Sequence, residues 1–523
     1  MNKYLDSLLK AVKNPATWPE DGEKIKVSRP GRTAGFAYEK VRNAVEYEEE
    51  HLLRRNAILR ILMRRQTGET ETEMTRGQSL LTELIWAKHL PNDKVPANLV
   101  KTVDAILKKY DTLLEAIPED QDRRFYEEWI YDVMSTEVEY AIESPQTLEH
   151  LASFMFEKVK GELVWSAEDM EDAQKDMLVY VAIYRALLKS NLATLRYRVF
   201  TLYFPKWSGA DSEAVRGVAT RLGVVVNAVE EQIKHPYADQ LYRLMRRYAL
   251  VFWTLHDIAK EKPDNFYEIL NDDEKLLQEV RKSAYGRYDR FKLRLRRTVG
   301  RAVLFLFLTK MLLALVIEVP YEMLILGEIA AVPLAINILF HPLFLAIIGM
   351  TVSIPKKKNT QQLLEYIKSV MNPSQKSPLG IVFKVRKPWS QGVLGKFFTG
   401  MYALTYLFSY GAIAWVLTGV LHFNLVSTGL FLFFFSIVTF FGIKIRQSIR
   451  ELLVIDKQGG VFGTVFDFFL LPVVRVGRWI SLRAPRVNIF IFFLDFIVEA
   501  PFKLAIELAE AWIAFMREQK EDL

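Results

Sequence analysis

The chain has 523 residues, of which 50% are hydrophobic and 25% charged, and its formal net charge is +7. It contains no cysteine, which excludes disulfides, iron–sulfur clusters, thiolate zinc sites and cysteine nucleophiles. Charged and apolar residues are segregated, because Glu, Lys and Arg dominate the chain before Arg301 and long apolar runs follow it. This division predicts an all-α protein in which a large helical cytoplasmic domain precedes an α-helical transmembrane domain.

Residues 1–280 are predicted to form the cytoplasmic domain. Apolar residues recur there at helical spacing, and prolines follow several of the periodic segments. The predicted helices cover residues 34–66, 78–90, 98–117, 122–143, 146–165, 166–204, 211–234 and 236–260. Alternating runs of β-branched residues are few, so we expect a helical bundle or an irregular helical array.

Residues 281–301 form a basic juxtamembrane hinge that contains nine basic residues and one acidic residue. The transmembrane domain, residues 302–443, is predicted to contain four spans. Their predicted limits are 302–319, 321–354, 397–420 and 425–443. The first run of 18 residues would be about 27 Å long as a helix, close to the roughly 30 Å of a hydrocarbon core. Pro333 and Pro342 interrupt the second span, which we interpret as one kinked span or as a span followed by a re-entrant piece.

Basic residues predict the orientation of these spans. The loop 355–396 contains nine Lys or Arg residues and one acidic residue, and further basic residues follow the fourth span. The connections near Pro320 and at 421–424 contain no Lys or Arg. The positive-inside rule therefore predicts that both termini and the 355–396 loop are cytoplasmic. In a prokaryote the membrane would be the plasma membrane.

The tail, residues 444–523, contains two apolar runs at 461–474 and 487–500, separated by a basic linker. Each run of 14 residues would be about 21 Å long as a helix, which is short for a span. We expect an interfacial or re-entrant amphipathic tail. The alternative is a fifth and a sixth span.

One pair of adjacent residues is the strongest candidate for catalysis in the sequence. The segment Leu255–Lys260 contains His256 and Asp257, and it resembles the centre of the HD phosphohydrolase signature, in which a His-Asp pair helps to bind a divalent metal that activates water. The resemblance covers six residues, and Ala259 stands where the signature has glycine. It implies an upstream His and a downstream Asp, for which His235 and Asp289 are the candidates. The alternative is that the pair belongs to an ordinary helix bundle.

Lys310 is the central ionisable residue predicted at membrane depth. It lies nine residues after Arg301, about 13 Å along a helix, which is too deep for its ammonium to reach the membrane surface easily. The other polar candidates in this region are Glu318, Glu328, Asn337, His341, Asp467 and Asp495. Such residues mark transport sites, and broken helices often build them. A buried Lys–Glu contact that fixes helix packing is the alternative.

The basic flanks are predicted to bind anionic lipid headgroups, at about 1 kcal/mol per basic residue near the surface. The candidates are Arg294, Arg296, Arg297, Lys356, Lys357 and Lys358. The same residues also set the topology. Nucleic acid is not an expected partner, because the basic residues lie where the membrane would be. No complete phosphate-binding, dinucleotide or hydrolase motif is present in the sequence, so no cofactor is expected.

The sequence favours a membrane-anchored scaffold or recruitment protein, whose cytoplasmic domain would bind a protein partner. A transporter or channel for a small solute or ion is the second hypothesis, and an HD-type metal-dependent phosphohydrolase is the third.

Overall fold

The computed structural model describes most of the chain. Its described residues are 3–15, 18–19, 22–27, 52–65, 75–119, 122–165, 170–355, 357–371, 381–383, 393–455 and 461–483. These residues are helical apart from turns and two strands of three residues each, so the prediction of an all-α fold is confirmed. The described chain divides into two compact units, residues 3–245 and residues 246–483, and the division falls within one helix.

The first unit is a succession of helices of 8 to 24 residues, the last of which continues into the second unit. They are α1 Lys3–Lys13, α2 Leu53–Arg65, α3 Arg76–Trp86, α4 Asn98–Glu115, α5 Arg123–Ile142, α6 Gln146–Glu162, α7 Asp172–Leu187, α8 Leu192–Tyr203, α9 Ser212–Ala219, α10 Leu222–Lys234 and α11 Ala238–Glu261. The strand β1, Leu163–Trp165, follows α6.

The long helix predicted over 166–204 is wrong, because the chain forms two helices there. Lys189 adopts a left-handed conformation with φ 52°, which ends the winding after α7. Asn191 then caps α8, since its side chain accepts a hydrogen bond from the backbone N–H of Thr194.

The interior of the first unit contains ionisable side chains as well as apolar ones. The buried carboxylate of Glu137 accepts hydrogen bonds from Lys109 Nζ at 2.5 Å and from the Tyr110 hydroxyl at 2.6 Å. Arg196 is also buried and donates from Nε to Glu230 at 2.6 Å. Glu137 and Arg196 therefore both have hydrogen-bond partners of opposite charge type, as burial requires.

The second unit contains the apolar helices. Its elements after α11 are α12 Phe266–Asn271, α13 Asp273–Leu326, α14 Ala331–Met350, α15 Lys357–Met371, β2 Ile381–Phe383, α16 Val393–Trp415, α17 Leu425–Ser448 and α18 Val461–Arg483. A π-helical turn extends α16 to Val420, and a 3-10 turn extends α17 to Leu452. Within the described part of the chain, α13, α14 and the extended α16 and α17 are long and apolar enough to cross a membrane. The predicted number of four such helices is confirmed.

The predicted connection near Pro320 is wrong, because α13 continues through this proline. The N–H of Val319 bonds to the carbonyl of Ala314, five residues earlier, so the helix is wound more widely just before Pro320. This π-helical winding accommodates a proline that a regular α-helix would tolerate poorly. The chain turns instead at Gly327, whose φ of 80° suits glycine, and α14 begins at Ala331.

The second span was predicted to be either kinked or re-entrant, and the structure has one helix, α14, that contains both Pro333 and Pro342. Helix α18 begins with the first apolar run of the tail at Val461 and continues beyond it to Arg483, so it includes residues of the basic linker. The second run, 487–500, lies outside the described residues.

Helix α18 packs closely against the middle of α17. A Cβ atom added to Gly477 would lie 2.0 Å from the backbone oxygen of Ser436 and 2.8 Å from Cβ of Phe440. Only glycine permits this approach of the two backbones. Val473, one turn earlier, is buried in a cluster with Phe431 and Phe435 of α17.

We predict that Gly477→Ala lowers the melting temperature of the protein in detergent, because the added methyl group must push α18 away from α17. Overpacking of this kind costs about 1–3 kcal/mol. Gly429→Ala is the matched control, since a Cβ atom at that position of α17 meets no atom within 4 Å. Equal melting temperatures for the two variants would contradict the close contact.

Candidate functional site

Lys310 lies on α13 and its side chain is completely buried. Its Nζ atom donates a hydrogen bond to Oδ1 of Asn337, on α14, at 2.7 Å. The same atom lies 4.4 Å from the ring centroid of Phe434, on α17, which is a favourable position for a cation over an aromatic face. Three helices thus surround the ammonium group.

Glu318, on the π-helical turn of α13, is the anionic counterpart of Lys310 in this cluster. Its Oε2 atom accepts hydrogen bonds from Nδ2 of Asn337 at 2.7 Å and from the hydroxyl of Ser427 at 2.9 Å. The Asn337 amide therefore lies between a cation and an anion. Its orientation is fixed by chemistry, because only its oxygen can accept from the ammonium and only its nitrogen can donate to the carboxylate.

His341 lies one turn after Asn337 on α14 and is also completely buried. Its Nδ1 atom is 3.2 Å from the backbone oxygen of Asn337, and its Nε2 atom is 3.1 Å from the backbone oxygen of Phe431. Both neighbours are acceptors, and a neutral imidazole has one N–H. The neutral ring can therefore donate to only one of the two carbonyl groups at a time.

Glu322 is a functional candidate that the sequence analysis missed. It is completely buried, and Oε2 accepts from the backbone N–H of Ala330 at 2.9 Å while Oε1 accepts from Nδ2 of Asn424 at 2.8 Å. These bonds join the turn after α13 to the turn before α17. The signal was present in the sequence, because Lys310, Glu318 and Glu322 are spaced by eight and four residues and lie on one face of a helix.

Hydrogen bonds, two of them to main-chain groups, connect a row of buried and half-buried polar side chains, which we call the polar file. It begins at the turn end of the helices, defined by residues 327–330 and 421–424, and it ends at Lys310 and His341. Its side chains are Glu322, Asn424, Ser427, Glu318, Asn337, Lys310 and His341. Asn424 and Ser427 lie between the two carboxylates: Asn424 donates to Glu322 and accepts from the backbone N–H of Ser427 at 2.8 Å, and the Ser427 hydroxyl donates to Glu318.

An apolar layer adjoins the polar file on the side away from the turns. It is the buried cluster of Leu345, Val438 and Ile445, against which Leu306 and Phe344 pack. Leu306 precedes Lys310 by one helical turn, and Leu345 follows His341 by one turn. The polar groups therefore stop where the apolar layer starts.

The remaining intramembrane candidates do not join this cluster in the described structure. Glu328, one of the polar candidates, is exposed in the turn after α13 and is not part of the polar file. The side chain of Asp467 and the whole of Asp495 lie outside the described residues.

His256 and Asp257 lie on α11, where Asp257 forms an ion pair with α13. Arg287 donates to its two oxygens from Nε at 2.5 Å and from Nη2 at 2.6 Å, and the hydroxyl of Ser283 donates at 2.9 Å. His256 Nδ1 is 3.8 Å from Asp257 Oδ1, too far for a hydrogen bond. Asp289, the predicted downstream partner, is exposed.

A metal centre is not assembled around this pair in the described part of the chain, where no group of three or more His, Asp or Glu residues could hold a metal ion. The geometry of Asp257 is that of a bidentate carboxylate–guanidinium pair between two helices. Burial acts to raise the pKa of Asp257, but the neighbouring side chains of His256, Arg287 and Ser283 together outweigh it, so the pKa is below its ordinary value.

The basic candidates on α13 and α15 are exposed, as lipid binding requires. These are Arg294, Arg296, Arg297, Lys357 and Lys358, while Lys356 lies outside the described residues.

Comparison of the chain with family models, with characterised proteins and with solved structures gave no match. The function must therefore be argued from the polar file and its surroundings.

We predict that Asp257→Asn destabilises the protein at neutral pH by about 1–3 kcal/mol, because Arg287 loses its charged partner. The folded-state pKa of Asp257 is lowered, so its contribution is present above the ordinary pKa of about 3.9 and is lost as the pH falls through the folded value. The difference in melting temperature between wild type and variant should therefore shrink below about pH 4. A difference that stays constant down to pH 2 would contradict the ion pair.

Proposed function

We propose that this chain is a membrane transport protein, a carrier or channel for protons or another small cation, with Lys310 as its central group. The observation that carries the proposal is the polar file, in which ionisable side chains are buried among helices apolar enough to span a membrane. The sequence placed transport second. Transport is now the better supported function because hydrogen bonds connect these side chains into the polar file.

The energetic cost of the polar file supports this function over simple anchoring. Ionisable residues at membrane depth are expensive and rare, and they usually mark ion or proton pathways. A bundle of apolar helices would anchor a protein without Lys310, Glu318 and His341. Replacing a buried ion pair by apolar residues is often neutral or stabilising, so packing alone gives little reason to keep these groups.

The composition of the polar file favours a proton or a small cation as the transported species. The side chains contact one another directly at 2.7–2.9 Å between Lys310, Asn337, Glu318 and Ser427. The carboxylates, the hydroxyl and the imidazole can each accept a proton or coordinate a cation. Both carboxylates also lie on π-helical turns, a distortion that is frequent at functional sites.

Recruitment of a cytoplasmic partner is the second candidate function. Residues 3–245 form a compact unit with buried ion pairs of their own, which is more structure than a membrane anchor needs. We retain this scaffold function for the first unit, and it is compatible with transport by the second. The HD-type hydrolase has less support, because Asp257 is engaged by Arg287.

We predict the following topology from the positive-inside rule: both termini and the 355–396 loop are cytoplasmic, and the turns at 327–330 and 421–424 are outside. Because the chain has no cysteine, single introduced cysteines can be labelled one at a time. A membrane-impermeant thiol reagent applied to intact cells should label Glu328→Cys and His422→Cys. It should leave Ser377→Cys unlabelled until the membrane is permeabilised. External labelling of Ser377→Cys would overturn the orientation.

We predict that the purified protein in liposomes dissipates an imposed proton or cation gradient, and that Lys310→Ala and Glu318→Gln reduce this flux at least tenfold. A pH-sensitive dye inside the vesicles measures proton flux, and ion-sensitive dyes measure the flux of sodium and potassium. Glu328→Gln is the matched control, because it removes an exposed carboxylate that lies outside the polar file. Glu318→Gln preserves side-chain shape, and its melting temperature separates loss of flux from loss of fold.

Absence of flux for every ion tested, in vesicles that respond to an added ionophore, would contradict transport. A pull-down with the full chain, run beside the flux assay, tests the second candidate function. A partner that is retained by the wild type, without any flux, would favour the scaffold. Equal flux in wild type and Lys310→Ala would remove Lys310 from the mechanism.

A further inference from the structure

The helices of the second unit carry basic residues at the end opposite the turns 327–330 and 421–424. Helix packing places these basic residues at the same height along the helix axes. Val299 of α13 lies against Gly349 of α14, since a Cβ atom on Gly349 would be 2.7 Å from Val299 Cγ1. Leu295 and Val299 also pack on the cluster that contains Ile445 of α17. Arg296 therefore lies at the same level as the basic residues that flank Ile445 in the sequence. We call this region the basic end.

Asn359, the third residue of α15, links the segments of the basic end. Its Nδ2 atom donates to the Tyr288 hydroxyl of α13 at 2.9 Å and to the backbone oxygen of Leu452 at 2.8 Å. Its Oδ1 atom accepts from the N–H of Val454 at 2.8 Å. One buried amide thus gathers α13, the start of α15 and the chain after α17.

Exposed cations and exposed apolar residues are adjacent on α13. Arg296, Arg297 and Arg301 are exposed, and Lys444 and Arg446 of α17 are exposed at the same level. The next turns of α13 present apolar side chains, which are Leu304, Phe305 and Leu308 with 59%, 50% and 49% exposure. The surface therefore changes from cationic to apolar within two helical turns. A phospholipid has the same order of chemistry, with a charged headgroup followed by apolar acyl chains.

We propose that the basic end is a binding site for an anionic phospholipid. Its phosphate would lie among the arginine and lysine side chains of α13 and α17, and its acyl chains would lie along the apolar turns of α13. Charge complementarity favours an anionic over a zwitterionic headgroup. Arginine guanidinium groups suit phosphate oxygens, because they can donate two parallel hydrogen bonds.

Lipid retention by the purified full-length protein tests this proposal. The protein in detergent is mixed with phosphatidylglycerol or with phosphatidylcholine of the same acyl chains, and bound lipid is counted by native mass spectrometry. We expect phosphatidylglycerol to be retained at least tenfold more strongly. In the triple variant Arg296→Gln, Arg297→Gln, Arg446→Gln this preference should fall to less than threefold.

The matched control removes three exposed cations from the first unit, as Lys101→Gln, Arg123→Gln, Arg124→Gln. It should retain phosphatidylglycerol as the wild type does. Asn359→Ala changes no charge but loosens the linkage between segments, so it should lower retention severalfold, and its melting temperature reports the fold. Inorganic phosphate is added as a competitor to separate a lipid from a free anion.

Equal retention of the two lipids by the wild type would overturn the proposal. The proposal would also be overturned if the triple variant kept the wild-type preference for phosphatidylglycerol while its melting temperature matched that of the control variant. Complete displacement of phosphatidylglycerol by millimolar phosphate would show a site for free anions and would also overturn it. Because the triple variant leaves the polar file intact, lipid binding and transport can succeed or fail separately.

Discussion

The side-chain amide of Asn337 is the interaction on which the interior of the second unit depends. It accepts from Lys310 and donates to Glu318, so it connects a cation and an anion on α13 through a group on α14. Ser427 brings α17 to the same carboxylate. If the amide were absent, two charges would be buried without their main hydrogen-bond partner, at a cost larger than the net value of the bonds themselves. Helix packing and the proposed transport therefore use the same contacts.

Part of this site could be predicted from the sequence, because depth along a helix follows from residue number. Lys310 lies nine residues after Arg301, about 13 Å along a helix, which predicted an interior location, and its side chain is buried. Glu322 was missed because Pro320 suggested a turn, whereas the π-helical winding carries α13 past it. The same winding moves the turn to Gly327, which leaves the side chain of Glu328 exposed. The residue preferences of a segment do not predict a π-helical turn of this kind.

Hydropathy was sufficient to predict the four long apolar helices, because a helix satisfies its backbone hydrogen bonds within one segment of the chain. The wrong predictions concern helix limits that depend on contacts distant in sequence or on the backbone conformation of a single residue. Lys189 divides a periodic stretch into two helices by adopting a left-handed conformation. Helix α18 continues through basic residues whose charge suggested a linker, and Gly477 places it against Ser436. Neither Asn359 nor Gly477 has a sequence signal that names its partner.

The apolar layer determines what transport would require of this structure. The polar file connects the turn end to Lys310, and Leu345, Val438 and Ile445 close the path beyond it. Passage to the basic end therefore needs α13, α14 and α17 to separate or slide at this layer. At this level Ile348 of α14 fits against Gly442 of α17, where an added Cβ atom would lie 2.6 Å from Cδ1 of Ile348. Glycine at such a position lets two helices approach closely. The apolar layer lies next to the basic end, so a lipid bound there would be placed where it favours one arrangement of these helices over another.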